Sequence, residues 1–141
     1  MGRDQEFSIT LSTELSAKAE AAEALYRHNV EETGTDDRAP IGAALCDASG
    51  GAVGGLWGRT ELGLLFLDML FLTEALRGRS YGSQLLRCVE QEAKRRGCTQ
   101  AVVETSSFQA PNFYRRHGYE EFGKVSFGIE PHTRIFLRKR L

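Results

Sequence analysis

The sequence predicts one α/β (α+β) domain, with helices flanking a mixed, mostly antiparallel sheet of about seven strands. Three observations carry that expectation. An apolar run over 62–72, interrupted only by Gly63 and Asp68, reads as a central strand buried on both faces. A basic, glycine-bearing turn, Arg77-Gly78-Arg79-Ser80-Tyr81-Gly82, follows it and leads into an amphipathic helix. Short alternating segments separated by turn residues lie on either side of this unit.

Taken in order, residues 6–11 alternate polar and apolar and predict a first strand. Residues 16–32 predict a helix, with Ala17, Ala21, Leu25 and Val30 along one stripe and Ser16 as its N-cap. The polar stretch 33–37 ends that helix, and its pattern suits either a second helix or an open loop. Residues 41–46 and 52–57 predict strands joined by Asp47-Ala48-Ser49-Gly50-Gly51, a hairpin turn. Gly58-Arg59-Thr60-Glu61 reads as a second turn, into the central strand. In the central helix Tyr81, Leu85, Val89 and Ala93 recur every fourth residue, Leu86 and Cys88 widen the stripe, and Glu90 and Lys94 form a favourable i,i+4 pair before the C-capping Gly97. Residues 100–105 predict a buried strand. Pro111 and Gly118 bracket a short helix, 119–125 form a strand containing Gly123, and 133–137 form a last strand ahead of the basic Arg138-Lys139-Arg140.

Composition narrows the function classes. With 141 residues, 41% of them apolar and 26% charged, the chain has the balance of an ordinary soluble domain. A net charge of −1 argues against a general nucleic-acid binder. The charge is uneven: residues 1–37 hold nine acids and three bases, the rest ten acids and fifteen bases. The acidic part is either a solvated face or an attractor for a cationic substrate. Cys46, Cys88 and Cys98 are odd in number and lack metal-ligand spacing, so they read as reduced, partly buried thiols of a cytoplasmic protein. No apolar run approaches the roughly 18 residues of a membrane helix, and no secretory signal opens the chain.

Strand, basic glycine turn and helix together form an anion site. The first turn of a helix presents unpaired N–H groups at the positive end of its dipole. Gly78 and Gly82 let the backbone approach a ligand closely, and Arg77 and Arg79 bring forked donors that suit phosphate oxygens. An ordinary corner with solvated arginines would use the same residues. The pattern is not a nucleotide P-loop, because no lysine follows the glycines.

Two motifs in this order resemble the GNAT superfamily of acyl-CoA-dependent N-acetyltransferases. One is the pyrophosphate loop (Arg/Gln)-x-x-Gly-x-(Gly/Ala), matched by Arg77 and Gly82, with Ser80 in place of the middle glycine. The other is Ala-x-x-Phe-Tyr-x-x-x-Gly-(Phe/Tyr), matched by Ala110, Phe113, Tyr114, Gly118 and Tyr119; Ser107 stands where an asparagine is common. The resemblance implies direct transfer of an acetyl group from acetyl-CoA to a primary amine of a small molecule or peptide, without a metal, a nucleic acid or a membrane. It also implies a bulged central strand splayed from its neighbour. Leu70, Phe71 and Leu72 would then offer backbone groups to the cofactor, and Arg77, Gly78, Arg79, Ser80, Tyr81, Gly82 and Ser83 would hold its pyrophosphate. Ser107, Asn112 and Tyr114 would complete the cofactor-binding set, Ser107 standing at the position from which the family's asparagine contacts the pantetheine arm.

The resemblance makes Tyr114 the general acid. Asp68, the one charge of the central run, is the first candidate for the base or amine-holding group, with a structural carboxylate as the alternative; Glu104 and Glu61 follow. His117 either tunes the site or is a surface histidine. Glu31, Glu32, Asp36 and Asp37 lie where an acceptor loop is expected. A catalytically silent acyl-CoA sensor of the same fold is the competing function. The strand 133–137, placed at a sheet edge, would offer a route to a homodimer.

Overall fold

The computed structural model describes residues 5–141, which fall into two compact units divided after Asp36. The first holds helix α1, Leu15–Thr33. Its N-cap is Glu14 rather than Ser16, with no side-chain cap, and Gly34 closes it in the left-handed conformation, its N–H bonded to Val30 O. The Tyr26 hydroxyl donates to Asp36 within the same unit. Residues 6–11 form no strand, and residues 34–38 form no second helix.

The second unit is built on a six-stranded sheet, one strand fewer than expected. Its strands are β1 (Ala39–Cys46), β2 (Ala52–Glu61), β3 (Leu64–Leu72), β4 (Gln100–Ser106), β5 (Glu120–Ser126) and β6 (Thr133–Arg140), in the order β1-β2-β3-β4-β6-β5. Every pair is antiparallel except β3 with β4. Helix α2, Tyr81–Arg95, crosses between those two strands, and the short α3, Pro111–Arg116, follows β4. The hairpin at Asp47 forms as expected: its carboxylate accepts the Ser49 hydroxyl and the Gly51 and Ser49 N–H groups, which hold it below the usual carboxylate range.

Four expectations are corrected by this fold. Residues 58–61 continue β2 instead of turning, because the reversal is made by Leu62 and Gly63, both at positive φ. The central strand is not buried on both faces. Leu65 and Leu67 point into the core under α2, whereas Met69 and Phe71 are about half exposed. Cys88 is exposed on α2, as is Cys46 on β1, and only Cys98 is buried. Finally, β6 runs between β4 and β5, so the sheet edges are β1 and β5, and the C-terminal strand offers no edge for dimer pairing.

The core lies between α2 and the sheet. Leu85, Leu86, Val89 and Ala93 pack against Leu56, Leu65, Leu67, Ala101, Val103 and Leu137. Truncating one of these leucines costs about 2–5 kcal/mol. Glu90 does not serve the expected helical pair with Lys94. It accepts the Tyr119 hydroxyl at 2.7 Å and the Lys139 ammonium at 3.0 Å, tying α2 to the region after α3 and to β6.

The feature that positions the site is a bulge. Trp57 pairs with Met69 and Gly58 with Leu67, which leaves Asp68 as an extra residue on β3. Gly58 is required there: a Cβ would stand 2.0 Å from the Phe66 carbonyl oxygen. Parallel pairing of β3 with β4 covers only Leu64–Leu67 against Gln100–Val103. Beyond the bulge the strands part, while β4 continues to Ser106 paired with β6 alone.

Candidate active site

The parting of β3 and β4 opens a cleft of about 640 Å³. Leu70, Phe71 and Leu72 line it from β3; Arg77, Gly78 and Ser80 line it from the turn, and Tyr81, Gly82 and Ser83 from the start of α2. Each of these nine was expected at a binding site. The turn ends in a left-handed Ser80 (φ 68°), and the first intrahelical bond of α2 runs from Gln84 N–H to Ser80 O at 3.1 Å. The N–H groups of Tyr81, Gly82 and Ser83 therefore lack an intrahelical acceptor at the positive end of the helix. Ser80 also lacks a side-chain cap bond, so its hydroxyl does not occupy those donors.

The arginines of the turn behave differently. Arg77 lines the cleft and donates through Nε to Leu72 O at 3.1 Å, fixing the turn to the end of β3. Arg79 lies outside the lining and stacks over the Tyr81 ring. Ser107 and Asn112 are also outside it. The Ser107 hydroxyl accepts the Thr133 N–H at 3.0 Å, and Asn112 accepts from Arg115 at 2.8 Å, so both are used within the fold.

A second cavity of about 120 Å³ adjoins the cleft, and Leu70, Gln109 and Ala110 line both. Asp68, Glu104, Tyr114 and Arg134 complete its polar wall. Tyr114 is 4% exposed, in edge-on contact with the Phe113 and Tyr119 rings, and burial pushes its hydroxyl up to about 12. It is therefore a protonated donor at neutral pH, and its hydroxyl bonds to no group among the described residues. Asp68 is not the buried carboxylate the sequence suggests. The bulge turns it out of the ladder, its side chain is 55% exposed, and Arg59 lies 3.6 Å away. Glu104 accepts from Arg134 at 2.7 Å. Glu61, at the far end of β2, lines neither cavity. Asp37 accepts the Leu62 N–H, a structural use.

A cleft at the start of a helix, opened by a bulge in the preceding strand, occurs together with a matching family model: the acetyltransferase (GNAT) domain fits residues 35–121. The chain belongs to the GNAT acetyltransferase family. Acetyltransferase Atu2258 of Agrobacterium fabrum is 32% identical over 94% of this chain and 98% of its own length. The blasticidin-S acetyltransferase of Streptomyces morookaense is 40% identical over 52% of this chain and 55% of its own. A crystal structure from Agrobacterium tumefaciens aligns with a TM-score of 0.88 at 27% identity, covering 97% of this chain and 100% of that one.

For a GNAT acetyltransferase, several lining residues carry no signal in sequence. Leu76, Phe108 and Arg116 line the cleft, and Arg134 lines the small cavity, because distant segments meet there. Gln109 is placed by its own bonds: its side-chain oxygen accepts the Ser106 N–H at 2.8 Å. His117 is neither fully buried nor a surface residue. Its Nε2 lies 2.9 Å from the Ser83 hydroxyl and its ring packs on Phe113. Burial lowers its pKa below the usual histidine value; Glu90 opposes this, and Lys139, Arg116 and Arg87 reinforce it. The lone histidine three residues after Tyr114 is the only hint the sequence offers.

Proposed function

We propose that the chain is an acetyl-CoA:amine N-acetyltransferase that acts in a ternary complex on a primary amine of a small molecule or peptide. The observation that carries this reading is Tyr114, a buried, protonated hydroxyl on the cavity that adjoins the cleft. Acetyl-CoA, which the family uses, would bring an activated thioester. The residues present fit it: unpaired N–H groups at Tyr81, Gly82 and Ser83 suit a pyrophosphate, with Arg77 and Arg116 adding charge. Backbone groups of Leu70, Phe71 and Leu72, freed from pairing with β4, suit the amide-bearing arm.

The remaining roles rest on the chemistry of the transfer. Tyr114 donates its proton to the departing thiolate sulfur, as a general acid whose hydroxyl stays protonated across the working range. A backbone N–H of the bulged segment stabilises the oxygen that gains charge. The acceptor amine, with a pKa near roughly 10.4 if lysine-like, must lose a proton to expose its lone pair. Asp68, exposed on the cavity wall, receives that proton through water or holds the amine in place. Glu104 is the weaker candidate because Arg134 already binds it.

Tyr114→Phe tests the reading. Acetyl transfer to an amine panel should fall about 10²-fold or more while acetyl-CoA affinity stays within about twofold. Equal loss of binding and turnover would make Tyr114 a packing residue, and wild-type protein that binds acetyl-CoA without acetylating any amine would favour the silent sensor.

A further inference from the structure

The small cavity has a polar wall of mixed charge whose hydrogen-bonding groups are not all paired within the fold. Two carboxylates and a guanidinium line it, Asp68, Glu104 and Arg134, and a second guanidinium, Arg59, sits against Asp68. The charges balance to zero, so the cavity offers no net attraction to a polycation. Its hydrogen-bonding groups do not balance. Arg134 spends Nε on Glu104 at 2.7 Å and Nη1 on Ser106 and Gln109, at 2.9 and 3.4 Å. Its Nη2 has no partner among the described residues. Gln109 accepts from Ser106 N–H, Thr105 and Arg134 through its oxygen, leaving its amide NH₂ without an acceptor among the described residues. Glu104, Thr105 and Ser106 thus hold Arg134 and Gln109 in position, and both line the cavity together with Tyr114 and Asp68.

From this we infer that the acceptor is an amphoteric small molecule, an amine that also bears a carboxylate, and that Arg134, with Gln109, is the specificity-determining carboxylate receptor. The guanidinium presents forked donors that match a carboxylate. The amine is then held toward Asp68 and Tyr114. An acceptor of this class satisfies both the unpartnered donors and the carboxylate Asp68 and keeps the cavity neutral; a polyamine would find no net attraction among two carboxylates and two guanidiniums and would leave those donors to water. The inference rests on the proposed N-acetyltransferase reading and narrows its substrate class.

The test is a matched panel: the free amino acids and, for each, its carboxamide and its decarboxylated amine, assayed for kcat/KM with acetyl-CoA. Loss of the carboxylate charge lowers the amine pKa in the carboxamide, so intrinsic reactivity favours the amides. The proposal expects the opposite, free acids ahead by about tenfold or more in wild type. Arg134→Gln should bring that ratio to about one. Glu104→Gln, which frees Arg134 from its ion pair, should raise it, so the proposal remains testable if the first variant folds poorly. Acetylation of amides and amines with no preference for the acids would overturn this inference and leave the N-acetyltransferase reading standing. Failure to acetylate any of the three series while other amines of the panel are acetylated would overturn this inference alone; failure on every amine tested would overturn both.

Discussion

The Nε2 of His117 lies 2.9 Å from the Ser83 hydroxyl and ties the end of α3 to the first turn of α2. The contact joins the segment that carries Tyr114 to the segment proposed to hold a pyrophosphate. Burial depresses the His117 pKa, so the folded protein binds less proton than the unfolded chain just below pH 6.5. Stability is fully present above about 6.5 and declines as pH falls from there to the folded pKa. His117→Gln should flatten that part of a Tm-versus-pH curve; an unchanged slope would show that the ring titrates as it does in the unfolded chain.

Tyr114, at about 12, sets a second pH expectation. As pH rises toward the amine pKa, the neutral amine grows about tenfold per unit, and kcat/KM should rise with it. No falling limb attributable to this tyrosine should occur below about 11. A falling limb near pH ~9 that disappears in Tyr114→Phe would contradict its assignment as a donor protonated across this range.

Gly58 and the bulge make a stability prediction. Alanine there would place a Cβ 2.0 Å from the Phe66 carbonyl, and relief requires moving β2 against β3. Gly58→Ala should lose about 3 kcal/mol in denaturant unfolding and weaken acetyl-CoA binding as the splay relaxes. Wild-type stability would mean that the bulge tolerates the shift.

Ser80 occupies a left-handed conformation at which the related motif carries glycine. For an L-residue this conformation costs roughly 1–2 kcal/mol. Ser80→Gly should therefore match or exceed wild-type stability and bind acetyl-CoA at least as tightly. Ser80→Val should lose stability and binding together; an indifferent response in thermal melts would remove the strain argument.

Much of this site is legible in sequence because local patterns specify it. Pro111 and Gly118 bracket α3 and the Arg77–Gly82 turn precedes α2, whereas the bulge is expected only from the family resemblance and Asp68, read alone, suggests a buried carboxylate. The illegible part depends on tertiary partners. The alternation at 6–11 is that of a strand, but pairing needs a neighbour that sequence cannot supply. Glu90 has a helical partner four residues on, yet Tyr119 and Lys139 outcompete it from elsewhere in the chain. β6 lies inside the sheet because β5 pairs beyond it, a matter of topology rather than pattern. For the same reason Arg134 carries no sequence signal: its meaning arises only where β6 brings it against Glu104 and Gln109.

The most direct test of the central claim is a calorimetric titration of acetyl-CoA into the purified protein, with ATP and NAD as controls. Acetyl-CoA should bind selectively, and about tenfold or more weaker in Gly78→Ala, where a side chain at φ 73° would strain the turn. Absence of binding by acetyl-CoA and by longer acyl-CoAs would contradict the claim, reducing the Arg77–Gly82 turn to a corner between a strand and a helix.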